Sequence, residues 1–264
     1  ASTVQRQLSE PFAAFALGRL GARLLDRQAL GVPAALRGNL VHETLFRLYQ
    51  DLPNSATMRA ADDDAVRAAV HDAAGGAVRR YLRNSGPMLG QLLELEQTRI
   101  VDVVTAFVGE DRERGDFQVE ALEGELEFRR GPLHLRLRFD RIDRYADGGI
   151  GIIDYKTGAA KTLLLRDGTV KEAQLFVYAM ASDEPVAMLA LANLDSRDTG
   201  FSGAGRGFTD EARWPELLAA MGAEIESACD DLIAGDVRIV AEQGASKARG
   251  LNVLSRYTEL RRND

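Results

Sequence analysis

Two strings hold the residues best suited to chemistry: Arg138-Phe-Asp-Arg-Ile-Asp-Arg144 and, after a short turn, Ile152-Ile-Asp-Tyr-Lys-Thr-Gly158. Side chains alternate along an extended strand, so Asp154 and Lys156 project from one face and Tyr155 from the other. A carboxylate and an ammonium become neighbours. Asp140 lies on the preceding strand, and its face depends on the hairpin. A three-residue loop centred on Asp147 sets Asp140 opposite Asp154, whereas a two-residue Asp-Gly loop sends the two aspartates to opposite faces. A shared site therefore predicts an odd-length loop or a bulge, for which Gly148 and Gly149 are suited. Two carboxylates beside a lysine at the ends of adjacent strands suit a hard divalent cation, Mg²⁺ or Mn²⁺. Such an ion lowers the pKa of a bound water and neutralises phosphoryl charge, while Lys156 orients the water or stabilises developing negative charge. The same three residues would equally make a solvated ion pair on a sheet face.

The elements that must position them follow from periodicity. Val119–Arg129 and Leu133–Tyr145 alternate apolar and polar residues across a Gly131-Pro132 turn, and Asp147-Gly148-Gly149 leads into Ile150–Tyr155. These spacings predict a three-stranded meander. Upstream, residues 9–84 carry helical spacing, interrupted near Gly31 and Pro33, with a helix starting after Gly38 and Asn39 that carries Val41, Leu45 and Leu48 on one stripe. Residues 62–83 and 92–108 read as further helices. Downstream, residues 171–182 are helical, 186–194 form a strand, 195–208 form a Gly, Ser and Asp-rich loop, and 209–235 form one long helix. The expectation is one α/β domain over 1–264: a helical part to 115, a mixed-sheet core with the site over 116–194, and a loop with C-terminal helices over 195–264.

Composition limits the functional classes. With 264 residues, 45% hydrophobic and 28% charged, the chain has the profile of a soluble globular protein. Every apolar run breaks well before the ~18 residues of a membrane span. The net charge of -7 gives no global attraction to polyanions, so any phosphate must be attracted locally. Cys229 is the only cysteine, which removes disulfide scaffolds and cysteine-rich metal sites and fits a reducing, cytoplasmic setting. No secretory signal is expected from the opening residues. Of 33 basic residues only Lys156, Lys161, Lys171 and Lys247 are lysines, and the first three sit within sixteen positions. In an Arg-dominated chain a lysine is informative, because Arg cannot replace a compact, titratable ammonium.

The Asp140 string, the Asp154-Tyr155-Lys156 string, Gln174-Leu-Phe-Val-Tyr178 and Gly38-Asn-Leu-Val-His42 occur in the order of the four motifs of RecB-type nucleases of the PD-(D/E)xK superfamily. The chain resembles the C-terminal nuclease domain of AddB-like helicase-nucleases from about Leu8 to Arg262, and Glu10-Pro-Phe-Ala-Ala-Phe and Arg19-Leu-Gly-Ala match that domain's start. The resemblance implies a restriction-endonuclease-like sheet flanked by helices. It implies metal-dependent hydrolysis of DNA, single-stranded or at strand ends, in repair or recombination, with a helicase or motor fused or bound. Carried over, it makes His42, Asp140, Asp154 and the Tyr155 carbonyl metal ligands and Lys156 the catalytic lysine. Gln174 and Tyr178, four apart on one helix face, support the site or the DNA backbone. Read alone, His42 is a helix residue satisfied by its neighbours, Asp143 is structural, and Glu43, about 100° around the helix from His42, is a weaker candidate.

Many relatives hold an iron-sulfur cluster with four cysteines, and here the corresponding places carry Glu10, Ala248, Leu251 and Tyr257. None can replace a thiolate, so no such cluster is expected. Packing by Leu251 and Tyr257 is expected to join the two ends instead. Cys229 is read as a buried helix residue. His134, Arg136 and Arg138 share the face of Asp140, as a phosphate track or as a solvated sheet surface; the basic tail from Ala245 is open to the same two readings. Two competing functions are a non-cleaving DNA-binding or scaffolding module of a helicase-nuclease assembly and a phosphoesterase acting on small nucleotides.

Overall fold

The computed structural model describes residues 1–23, 31–82, 87–159, 161–165, 170–208, 211–238 and 251. Six helices open the chain: α1 (Ser2–Ser9), α2 (Pro11–Gly18), α3 (Ala34–Asp51), α4 (Ser55–Ala60), α5 (Asp63–Leu82) and α6 (Pro87–Arg112). Then come β1 (Gln118–Arg130), β2 (Leu133–Arg144), β3 (Ile150–Lys156), α7 (Gln174–Ala181), β4 (Val186–Asp195), β5 (Asp198–Gly205) and α8 (Trp214–Ala234). The five strands form one sheet in sequence order, antiparallel except for β3 and β4, which run parallel through the α7 crossover. This is the expected restriction-endonuclease-like arrangement, a mixed sheet between helical layers.

Each face of the sheet buries its own core. On one side Leu40, Leu45 and Leu48 of α3 join Val70 of α5, Val104 and Phe107 of α6 and Ile153 and Tyr155 of β3. On the other, Leu175 and Phe176 of α7 and Ile225 and Cys229 of α8 pack on Leu137, Ile152 and Leu189. Each fully buried Leu or Ile contributes about 1.5–3 kcal/mol, so the two layers clamp the strand ends from both sides. Among the described residues no helix is long and apolar enough to cross a membrane.

Two readings of the sequence need correction. Residues 195–208 are not a loop: Ser196-Arg197 turn β4 into β5, an antiparallel edge strand from Asp198 to Gly205. Gly203 and Gly205 follow from close packing, since a Cβ on Gly203 would lie 2.6 Å from the Leu189 carbonyl oxygen, and one on Gly205 would collide with the Ala187 carbonyl and press on the Trp214 ring. Likewise α3 runs through Gly38 and Asn39 instead of starting after them. Gly38 is tolerated there at about 1 kcal/mol, and it brings the helix close to Thr157: a Cβ at Gly38 would sit 3.2 Å from Thr157 Oγ1. Residues 24–30 of the stretch with helical spacing, Ala248, Tyr257 and the basic tail lie outside the described residues. Leu251 packs on Ala13 and Ala16 of α2, as expected, and Cys229 is buried in α8.

Candidate active site

The β2–β3 hairpin has the loop that a shared site requires. Tyr145 N–H donates to the Gly149 carbonyl at 2.9 Å, which leaves Ala146, Asp147 and Gly148 as a three-residue loop centred on Asp147. Gly148 takes φ +86°, a conformation that favours glycine. The register then pairs Ile142 with Ile152 and Arg141 with Ile153, and its continuation sets Asp140 opposite Asp154. Beyond that rung β2 leaves β3, and Asp140 Oδ2 accepts the Tyr155 N–H at 2.7 Å.

A second device acts on β1. Glu123 is the one non-glycine among the described residues with positive φ, +53°. Such a conformation costs on the order of 1 kcal/mol or more and marks a place where the surroundings over-determine the backbone. The strand faces switch at this rung. Leu137 and Phe139 pack toward α7 and α8, whereas Arg141, of the same parity, turns to Tyr49 of α3 and Asp111 of α6. Asp140 sits at the switch, within reach of both α3 and the end of β3.

There His42 Nδ1 lies 3.2 Å from Asp140 Oδ1 and 3.8 Å from Glu123 Oε1. Its ring meets Tyr155 edge-on, with centroids 5.6 Å apart. His42, Glu123 and Asp140 each offer one ligand atom within 4.8 Å of the others, the one such trio among the described residues. Glu123 is absent from the sequence reading, although the two-residue Gly131-Pro132 turn places it opposite Asp140 by counting alone. Burial pushes the His42 imidazolium down, but Asp140, Glu123 and Asp154 outweigh it and raise its pKa.

Asp154 stands just outside that trio. It is buried, which raises its carboxyl pKa; the Lys156 ammonium opposes the rise and Asp140 adds to it. Lys156 Nζ lies 2.5 Å from Asp154 Oδ2, so the ammonium pairs with the buried carboxylate. Gln174 Nε2, from the first turn of α7, donates to Asp154 Oδ1 at 3.4 Å and to Tyr178 Oη at 2.6 Å. Burial pushes the Tyr178 phenol up to about 12. The predicted residues His42, Asp140, Asp154, Lys156, Gln174 and Tyr178 are therefore gathered at one end of the sheet. Arg136 and Arg138 are exposed on the outer ribbon, opposite Glu127 and Glu125, and Arg138 pairs with Glu123. Acids on the neighbouring strand thus offset that arginine face. Asp143, read as structural, binds the buried Arg141 at 2.6 and 2.9 Å. Glu43 pairs with Arg47 and Arg80.

The ligand atoms suit a hard divalent cation: carboxylate oxygens of Glu123 and Asp140 and one imidazole, with the buried Asp154 carboxylate beside them. No curated protein matches the chain. A solved structure, the crystal structure of a protein called SSO0001, is 15% identical, with 90% of this chain and 86% of that one covered and a TM-score of 0.29, too low to carry an argument. The model of the PD-(D/E)XK nuclease superfamily matches residues 1–245, and the chain belongs to that superfamily, which implies a metal-dependent nuclease.

Proposed function

We propose that the chain is a Mg²⁺- or Mn²⁺-dependent deoxyribonuclease of the RecB/AddB type that hydrolyses phosphodiester bonds in DNA repair or recombination. The convergence of His42, Glu123 and Asp140 within 4.8 Å, with Asp154 and Lys156 beside them, supports this reading most strongly. When bound, the cation supplies an acidified water and neutralises phosphoryl charge. His42, Glu123, Asp140 and Asp154 would hold it, with the Tyr155 carbonyl. Lys156, kept at the buried Asp154 carboxylate, orients the attacking water and stabilises charge developing on the phosphate. Gln174, braced by Tyr178, fixes the Asp154 rotamer from the opposite layer. Arg136 and Arg138, exposed on β2, would contact the phosphates of a DNA strand, single-stranded or at an end, in exchange for the neighbouring acids of β1. A helicase or motor domain, fused or separate, fits the RecB/AddB likeness.

The test is cleavage of linear and circular, single- and double-stranded DNA with Mg²⁺ or Mn²⁺. Lys156→Ala is expected to slow cleavage about 10²–10³-fold, the usual loss of a charge-stabilising group. Equal rates for wild type and variant would refute the assigned chemistry. Tight DNA binding with no cleavage by wild type would support the scaffolding alternative.

A further inference from the structure

Lys156 ends β3 and Gln174 opens α7, yet the described residues between them form no helix or strand beyond the single bridge of Leu164 with Val170. This connection joins the lysine to the glutamine that braces its aspartate. Side chains from other elements hold its backbone. Asn193, on β4, is the direct neighbour of Lys156 in the parallel register and is only 6% exposed. Its Oδ1 accepts the Lys161 N–H at 2.8 Å, and its Nδ2 donates to the Lys161 carbonyl at 3.0 Å. One carboxamide thus takes both backbone groups of one residue, as the next rung of a strand ladder would. Ser202 Oγ on β5 accepts the Leu163 N–H at 3.0 Å. Gln5 of α1 closes the other end, donating to the Lys171 carbonyl at 3.3 Å and accepting the Ala173 N–H. Thr157 is confined by the close approach of Gly38.

We propose that Asn193 is a positioning residue of the nuclease site: it fixes the connection from Lys156 to Gln174 across the end of the sheet. It thereby keeps both residues on Asp154. The inference rests on the nuclease reading and adds to it a residue outside the four sequence motifs. Lys156 sits between two fixed points, its own rung beside Asn193 and the Lys161 backbone that the same side chain grips. A freed connection lets the ammonium swing from the buried carboxylate, and misplacement of about 1 Å can cost 10²-fold in rate.

The experiment measures three quantities on Asn193→Ala and wild type: amide hydrogen exchange, Mn²⁺ affinity by calorimetry, and the single-turnover cleavage rate. The expected result is exchange at residues 161–163 faster by at least about tenfold, corresponding to a lost protecting hydrogen bond, with β3 amides unchanged. Mn²⁺ affinity should stay within about twofold while cleavage slows about 10–100-fold. A merely structural asparagine would lower the melting temperature and leave the rate of the folded enzyme unchanged, and that outcome overturns the proposal. Asn193→Asp keeps the Oδ1 acceptor and sets a carboxylate against the Lys161 carbonyl, so it gives an intermediate rate even if the alanine variant folds poorly. Ser202→Ala releases the Leu163 N–H without touching Asn193 and should give a smaller loss of the same kind. A wild type that binds Mn²⁺ but cuts nothing overturns the nuclease reading and this proposal together. A wild type and Asn193→Ala that cut equally overturn this proposal alone.

Discussion

Asp140 and Asp143 lie three residues apart on β2 and serve two clusters of opposite character. Around Asp143 the charges are saturated. Arg141, fully buried, donates to both Asp143 oxygens and to Asp111 at 2.7 Å. Arg114 bridges Asp111 at 2.8 Å and Asp143 at 3.0 Å, and Tyr49 Oη donates to Asp111 at 2.6 Å. The Arg141 guanidinium also lies 4.1 Å from the centroid of the Tyr49 ring. Burial alone would raise the Asp111 carboxyl, but Arg141 and Arg114 outweigh it and hold its pKa below the usual carboxylate value. Around Asp140 three carboxylates, those of Glu123, Asp140 and Asp154, crowd one end of the sheet against Lys156, Arg138 and a His42 that is charged only when protonated. A buried charge with every partner in place fixes how layers pack, whereas carboxylates crowded at one place suit a metal ion.

Four experiments break or sharpen this contrast. The largest effect belongs to the saturated cluster: Asp143→Ala removes one of the two carboxylates that neutralise Arg141 and Arg114 in the core and should cost about 3–5 kcal/mol in urea unfolding. A loss below ~1 kcal/mol would mean that the network relaxes and is not a scaffold. Next, Mn²⁺ at one hundred times its Kd should stabilise wild type by about 2.7 kcal/mol, read as a raised Tm. Asp140→Asn should abolish that gain and Asp143→Asn should not.

The two clusters should also separate on the pH axis. His42 carries a raised pKa, so its pairing with the carboxylates stabilises the metal-free fold below the ordinary histidine value of ~6.5 and is lost as pH rises through the raised one. Metal competes with that proton, so Mn²⁺ affinity should fall by up to about 1.4 kcal/mol per unit as pH drops below the His42 pKa. Asp111 behaves oppositely: its contribution is present above the ordinary carboxylate value of ~3.9 and lost as pH falls through the depressed one. Calorimetric titration at several pH values, beside acid unfolding, should show metal binding failing before the fold does. Coincident transitions would contradict the assignment. The smallest effect is Asp140→Asn without metal, where relief of repulsion from Glu123 and Asp154 offsets the lost His42 contact. Chemical unfolding should change by less than about 1 kcal/mol, and a loss as large as that of Asp143→Ala would erase the distinction between the clusters.

Much of this was legible in the residues. Alternation marked β1 to β3, and counting across Asp147 linked the two aspartates to the loop the structure contains. The same count across Gly131-Pro132 reaches Glu123, but its left-handed backbone is no pattern a period-two reading contains. Arg141 is illegible for another reason: a charged residue in a strand reads as solvent-facing, and its burial depends on Asp111, thirty residues away on α6, turning inward to meet it. The strand β5 was hidden because its glycines answer to the Leu189 and Ala187 carbonyls across the pair, a constraint with no local signature. Asn193 carries no motif and becomes meaningful only beside Lys156.

The three-residue loop at Asp147 has a consequence for how the chain matures. Because β2 and β3 must meet in one register for Asp140 to face Asp154, a hairpin slipped by one residue would keep most of its backbone pairing and lose the site outright. Activity in a freshly folded sample would therefore report folding fidelity. A preparation with full secondary structure and reduced activity per molecule would point first to this turn, where Gly148 at φ +86° and the Asp147 carboxylate accepting the Gly149 N–H hold the correct pairing.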